Sequence, residues 1–140
     1  NEVAVLLCHQ HHEIAPWGEL LSTRSQYLEA AGCLTDGSVR DVKRIRQMKF
    51  PVFAGNIGPL DSKHRGKLMW YDVPGKIHGV NVNSGDFIFG DVDGVVIVPQ
   101  QITAEVVEKA LQKVREENQV RGMLENGVSL AKAFEEHGIL

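Results

Sequence analysis

The sequence predicts an α/β fold with a parallel sheet. Three observations carry the prediction: a continuous apolar run at Val3–Cys8, strand and helix patterns that alternate as far as Ala54, and a helical period that sets in only after Pro99. The run Val3-Ala4-Val5-Leu6-Leu7-Cys8 has the length of a strand buried on both faces. A polar segment, His9–Glu13, follows it. Pro16 and Trp17 then lead into Gly18 and a helix from about Glu19 to Ala31, with Leu20, Leu21, Tyr27, Leu28 and Ala31 on or near one face and Gly32 as its stop. Cys33-Leu34-Thr35 reads as a short strand and Gly37 as a turn. Ser38 reads as the N-cap of a helix to about Met48, and Phe50–Ala54 as the next strand.

Beyond residue 55 the pattern changes. Gly55–Pro59 reads as loop, Lys67–Val73 as a possible strand, and Lys76–Val82 as strand-like alternation closed by an Asn83-Ser84-Gly85 turn. Phe87-Ile88-Phe89 and Val95–Val98 flank Asp93-Gly94, which fits a hairpin. Val106, Val107, Ala110, Leu111 and Val114 then form the stripe of a helix that stops near Asn126-Gly127, and a short helix runs from Ser129 to Gly138. No repeat, low-complexity tract or linker interrupts the chain, so residues 1–140 read as a single domain.

Composition narrows the function classes. A net charge of −3 gives no broad electrostatic reason to bind nucleic acid or an anionic membrane. The basic cluster Lys43, Arg44, Arg46 and Lys49 reads as a solvated helix face. No apolar run approaches the roughly 18 residues of a membrane span, and no signal-peptide pattern is visible. Cys8 and Cys33 sit in apolar surroundings, as reduced thiols of a cytoplasmic protein do.

The chemistry-bearing segments are Gly18-Glu19-Leu20-Leu21 and Thr35-Asp36-Gly37-Ser38-Val39-Arg40-Asp41. Ser38-x-x-Asp41 reads either as a capping box or as the start of a helix that follows a strand, where α/β folds hold ligands. In the second reading Arg40 pairs with a carboxylate, and Asp41 offers oxygen to a hard cation such as Mg²⁺, which keeps several waters. The glycine-led turn at Gly18 reads either as a plain helix start or as a source of free N–H groups for an anion.

Other segments carry less. Cys8-His9-Gln10-His11-His12 lacks the spacing of known zinc sites and reads as a polar strand-end loop, with one histidine free to line a pocket. Asp91-Val92-Asp93-Gly94 lacks the further acids of a calcium loop and reads as a turn. No dinucleotide fingerprint, P-loop or GxSxG motif is present, which disfavours a methyltransferase or a serine hydrolase.

Taken in order, Gly18–Leu21, Thr35–Asp41, Pro51-Val52-Phe53-Ala54, Asn83-Ser84-Gly85-Asp86 and Gly90–Pro99 resemble the RraA-like family, which contains the regulator of ribonuclease E activity A and the 4-hydroxy-4-methyl-2-oxoglutarate aldolases. The resemblance covers nearly the whole chain and corresponds to the C-terminal two-thirds of the family length. It implies a layered α/β/β/α fold similar to a swivelling domain, without the N-terminal part of the family fold, assembled as trimers or hexamers with sites near subunit interfaces. It further implies that Gly18, Glu19, Leu20 and Leu21 bind the carboxylate end of a 2-oxo acid, that Arg40 is a substrate ligand and catalytic residue, and that Asp41 is the ligand of a divalent metal, Mg²⁺ or Mn²⁺. Glu19 takes the role of a catalytic acid that positions a water beside the metal. One departure stands out. The family's aldolases tend to carry Glu or Asp three residues after the metal-binding Asp, where this chain has Arg44, and a cation there disfavours a second hydrated-metal network.

The expectation is therefore a cytoplasmic, metal-dependent lyase that cleaves a carbon–carbon bond of a small 2-oxo acid through a pyruvate enolate, as an aldolase, an oxaloacetate decarboxylase or both. The alternative is a non-catalytic regulator that binds a ribonuclease or another protein partner. Neither reading calls for nucleic acid or a membrane.

Overall fold

The computed structural model describes residues 1–9 and 11–138. The chain divides into two compact units, Asn1–Pro99 and Gln100–Leu140. The fold is mixed α/β, as the sequence predicts. In the first unit β1 (Val3–Leu6), β2 (Gly32–Val39) and β3 (Val52–Ile57) form a parallel sheet in the order β1-β2-β3. Helix α1 (Glu19–Tyr27) lies on the connection from β1 to β2, and α2 (Val42–Met48) on that from β2 to β3. Two antiparallel hairpins follow, β4 (Gly75–Ile77) with β5 (Val80–Val82) and β6 (Phe87–Gly90) with β7 (Val95–Val98). The second hairpin is the one the Asp93-Gly94 turn predicts.

The central position of β2 decides the core. Strands pair with both of its edges, and every residue from Gly32 to Val39 is buried. Trp17, Cys33, Val39, Ile45 and Phe50 pack together, with the Trp17 and Phe50 rings stacked at 6.3 Å. The indole N–H of Trp17 donates to Ser22 Oγ at 2.8 Å, and that hydroxyl donates to Gly18 C=O at 3.0 Å. A buried polar group is thereby satisfied within α1.

Several expectations are corrected. The strand does not stop at Thr35: Asp36 and Gly37 oppose the single residue Gly55, so the Asp-Gly pair forms a bulge inside β2 rather than a turn. A Cβ on Gly37 would stand 2.6 Å from Cys8 Sγ, and one on Gly55 2.4 Å from Asp36 C=O, so both glycines are there for close approach. Gly55–Ile57, expected as loop, extends β3 alongside the lengthened β2. β1 is only half-buried, because it is an edge strand. Helix α1 ends at Tyr27, where Glu29 adopts a left-handed conformation (φ 60°), and Gly32 opens β2 instead of ending the helix. Leu20, Leu21, Tyr27 and Leu28 are exposed, while the buried residue of α1 is Ser22, which bonds Trp17. Lys67–Val73 forms no strand and leaves Leu68, Met69, Trp70 and Tyr71 exposed.

In the second unit α3 (Thr103–Glu125) packs against α4 (Leu130–His137). Val106 and Val107 are half-buried, but Ala110, Leu111 and Val114 of the expected stripe are exposed, and the buried residue of α3 is Val120. Ser129 caps α4 by accepting from the Lys132 N–H at 3.3 Å, and Gly138 ends it in a left-handed conformation (φ 66°). Among the described residues no helix is long and apolar enough to cross a membrane.

Candidate active site

The site forms where β2 gives way to α2. Trp17 pairs with Val39 in a parallel bridge, and the Arg40 N–H donates to Trp17 C=O at 3.0 Å, which lays the Gly18 turn beside Arg40 and Asp41. Asp41 is left-handed (φ 59°) and its side chain makes no cap for α2. Its Oδ2 instead accepts the Glu19 N–H at 3.1 Å, across to the start of α1. The capping-box reading is thus overturned: Ser38 lies in β2, where its hydroxyl donates to His12 C=O at 2.8 Å, and Asp41 serves the neighbouring turn. Aspartate tolerates the left-handed region better than most residues, which permits this arrangement.

Arg40 faces two carboxylates. Its Nη1 lies 3.5 Å from Asp41 Oδ2 and its Nη2 3.5 Å from Asp61 Oδ2, both longer than a tight charge-assisted bond. Its Nε is buried against Gly18 and has no hydrogen-bond partner among the described residues. The side chain is half-exposed and both Nη contacts are long, so these nitrogens keep donor capacity that an anionic ligand can use. At the start of α1 the first helical bond is that from the Ser22 N–H to Gly18 C=O, so the amides of Leu20 and Leu21 precede the helix ladder. The side chains of Leu20 and Leu21 are exposed, and any contact these two residues make with a carboxylate comes from the backbone.

The Glu19 carboxylate accepts from Arg44 Nε at 3.2 Å, and Arg44 Nη1 donates to Gln47 Oε1 at 3.3 Å. Glu19, Arg40, Asp41 and the Gly18 turn are thus brought together.

Asp61 is the site residue that sequence reasoning missed. A parallel bridge with Ala15 holds its backbone next to the Trp17 segment, and its Oδ1 accepts the Lys63 N–H at 2.8 Å. That hydrogen bond, and then the charge of Arg40, draws its carboxyl below the ordinary value. Its placement beside Arg40 depends on that long-range bridge, which the sequence reading did not anticipate.

The residues can hold a metal only in one way. Among the described residues no three His, Cys, Asp or Glu side chains are grouped as a metal would require. Asp41 is half-exposed, and its Oδ1 has no protein partner among the described residues. Such a single carboxylate suits a hard cation that keeps waters and takes further oxygens from a substrate. The loosely engaged Nη atoms of Arg40 next to it suit the anionic substrate that would bring them.

The histidine cluster does not converge. His11 is exposed, His12 Nδ1 lies 2.9 Å from Asp36 C=O and its ring stacks on His78 at 6.1 Å, and Gln10 lies outside the described residues. Asp36 is buried at 3% exposure and accepts the Cys8 N–H, a structural role at the bulge. Burial, and then the nearby Asp36 charge, raises the Cys8 thiol, and burial raises Cys33. An open cleft of about 650 Å³ between α2 and β3, lined by Val42, Phe50, Val52, Ala54 and Ile57 among others, contains none of the predicted site residues.

Strand, bulge and acid–guanidinium turn define the class: an α/β protein with a guanidinium and a carboxylate side by side at the end of a central parallel strand. The RraA-like family model, described as Aldolase/RraA, matches residues 1–97. The chain belongs to the RraA-like family. The 4-hydroxy-4-methyl-2-oxoglutarate aldolase of Thermus thermophilus is 36% identical over 70 residues, which cover 50% of this chain and 42% of that protein. An uncharacterized protein of Pseudomonas syringae pv. tomato superposes with a TM-score of 0.90 at 28% identity, over 94% of this chain and 66% of that one. Streptomyces coelicolor RraAS2, described as an unusual member of the RNase ES inhibitor RraA protein family, superposes with a TM-score of 0.76 at 28% identity, over 85% of this chain and 61% of that one. The chain spans only 20% to 61% of the length of three relatives that match more than four-fifths of it.

Proposed function

We propose that the protein is a divalent-metal-dependent lyase that cleaves a carbon–carbon bond of a small 2-oxo acid, as a 4-hydroxy-4-methyl-2-oxoglutarate-type aldolase, an oxaloacetate decarboxylase or both. The observation that carries this reading is the contact between the Glu19 N–H and Asp41 Oδ2, which joins the glycine-led turn to the Arg40–Asp41 pair in one site. The aldolase among its relatives supports the same reading. Mg²⁺ or Mn²⁺, held by Asp41 with waters, supplies Lewis acidity at the 2-oxo acid end of the substrate.

The chain's own groups do the rest. The Leu20 and Leu21 amides orient the substrate carboxylate. Arg40, through the donors its two acidic neighbours leave free, stabilises the negative charge that develops on the enolate oxygen. In the aldol case Glu19, through a water, takes the proton of the 4-hydroxyl as the C3–C4 bond breaks. The bonding pair forms the enolate of one pyruvate, the C4 fragment leaves as a second pyruvate, and the proton returns to C3. In the decarboxylation the same C3–C4 bond breaks with loss of carbon dioxide, and the enolate again takes a proton at C3. The exposed apolar run Leu68–Tyr71 supports the homo-oligomer, trimer or hexamer, that belongs to this reading, with the protein in the cytoplasm.

The test is pyruvate release from oxaloacetate and from 4-hydroxy-4-methyl-2-oxoglutarate with added Mg²⁺ or Mn²⁺. Arg40→Ala is expected to lower turnover by a factor on the order of 10²–10³, and Asp41→Ala to abolish its metal dependence. Full metal-dependent turnover in both variants would end the assignment. A second reading, a non-catalytic regulator that binds a ribonuclease or another protein, is favoured by Arg44 where the aldolases tend to carry an acid, and by the likeness to RraAS2. Capture of a ribonuclease by a protein that releases no pyruvate is the result that distinguishes it.

A further inference from the structure

Arg44 reaches from α2 to the start of α1. Its Nε donates to Glu19 Oε1 at 3.2 Å, and its Nη1 donates to Gln47 Oε1 at 3.3 Å, so its guanidinium plane is fixed at one edge by its own helix. Glu19 is then held at two points, its N–H on Asp41 Oδ2 and its carboxylate on Arg44, while Oε2 has no protein partner among the described residues. Thr23 and Gln26 continue the same face of α1 toward α2, through Thr23 Oγ1 to Met48 Sδ at 3.8 Å and Gln26 Nε2 to Met48 C=O at 3.3 Å. Arg44 is 64% exposed and Glu19 33%, and an ion pair as open as this adds little to stability. Its effect is on direction: the flexible carboxylate is drawn toward α2, while the N–H of the same residue rests on Asp41.

We propose that Arg44 is the positioning residue for Glu19, aiming the free carboxylate oxygen of Glu19 at the water and substrate proton it must handle. The inference rests on the lyase reading and deepens it. A cation at this position orders the acid of the glycine-led turn. Without Arg44 the Glu19 side chain regains its rotamers, and proton transfer slows while substrate binding, which uses Arg40 and the amides of α1, is unchanged.

The experiment is a double-mutant cycle on metal-dependent pyruvate release, with Glu19→Gln, Arg44→Ala and the pair, together with Arg44→Lys and a crystal structure of Arg44→Ala. Glu19→Gln is expected to lower kcat on the order of 100-fold. Arg44→Ala is expected to lower kcat roughly tenfold with KM within about twofold of wild type. In the Glu19→Gln background Arg44→Ala should add less than about twofold, since there is no longer an acid to position. Arg44→Lys, which keeps the charge near Glu19 and loses the Gln47 contact, should recover part of the rate, and the structure should show the Glu19 carboxylate displaced. A purely structural α1–α2 contact would instead give the same loss in both backgrounds, and that result overturns the inference. So does an unchanged kcat in Arg44→Ala where Glu19→Gln is impaired, which leaves the lyase reading standing. A wild-type protein without metal-dependent turnover, or a fully active Glu19→Gln variant, overturns the lyase reading and the inference with it.

Discussion

A Cβ on Gly18 would stand 2.7 Å from Asp41 Oδ2 and 3.1 Å from Arg40 Cγ. The backbone at Gly18 is extended (φ −160°), a conformation open to any residue, so the need for glycine there is one of space alone. Gly18→Ala is therefore expected to push Asp41 away from the Glu19 N–H, and to separate the two segments that make the site. The displaced atom is the end of a half-exposed side chain, so the cost in stability is small, under about 1 kcal/mol. Urea unfolding would measure that loss, and metal-dependent pyruvate release should fall by a larger factor than stability alone explains. An alanine variant with wild-type turnover would show that the contact is incidental.

Asp61 lies on the far side of Arg40, and its carboxylate is the one partner of the guanidinium that does not touch the glycine-led turn. Asp61→Asn should leave Arg40 free to swing, and KM for the 2-oxo acid should rise roughly three- to tenfold with a smaller effect on kcat. The carboxyl is held below its ordinary value by the Lys63 N–H and by Arg40. Its contribution is thus present above the ordinary aspartate value and is lost as the pH falls through the lower folded one. Acid unfolding curves should accordingly converge for wild type and Asp61→Asn at low pH and separate above it. Parallel curves would rule out the coupling to Arg40.

Trp17 ties the floor of the site to the core. Its ring stacks on Phe50, and its N–H reaches Ser22, whose hydroxyl in turn donates to the carbonyl of Gly18. Trp17→Phe keeps most of the apolar ring and removes the donor. The expected cost is about 1 kcal/mol for the lost hydrogen bond, with a further loss from the volume left behind. Because the chain of bonds ends on Gly18, the variant should also lower turnover, and thermal unfolding beside a pyruvate assay separates the two effects. A variant that loses stability alone would place Trp17 in the core and nowhere else.

How much of this was legible in the sequence follows from which interactions are local. The pairing of β6 with β7 around Asp93-Gly94, and the Ser129 and Gly138 limits of α4, are set by residues within a few positions of one another, and they form as read. Gly18, Glu19, Arg40 and Asp41 converge as their motifs imply. The larger misreadings turn on packing that the local pattern does not encode. Asp36-Gly37 looks like a turn because its bulge is defined only by Gly55, a residue on another strand. The helical periodicity of α1 points Leu20 and Leu28 at a core, yet the helix buries Ser22 because Trp17 needs an acceptor. Asp61 was invisible as a site residue, since nothing near it in the chain announces a bridge to Ala15.

Cys33 offers a test of the core that does not depend on the chemistry of the site. Its side chain is fully buried near the start of β2, and burial raises its thiol above the ordinary value of 9.0. The sign follows from which state loses the proton first. Below pH 9 the thiol is neutral in both the folded and the unfolded chain, and titration contributes nothing to the difference. Above it the unfolded chain ionises while the folded one does not, so stability falls as the pH rises, by up to about 1.4 kcal/mol per pH unit. Cys33→Ala removes that limb at the cost of a small cavity, on the order of 1 kcal/mol at neutral pH. Cys8 is present in both proteins and cancels in the comparison. The variant is therefore expected to be the less stable protein at pH 7.5 and to approach or overtake wild type by pH 10.5, as read from urea midpoints. A constant gap between the two across that range would mean that the thiol meets water, and that the β2 core is looser than the packing of Trp17, Val39 and Phe50 around it requires.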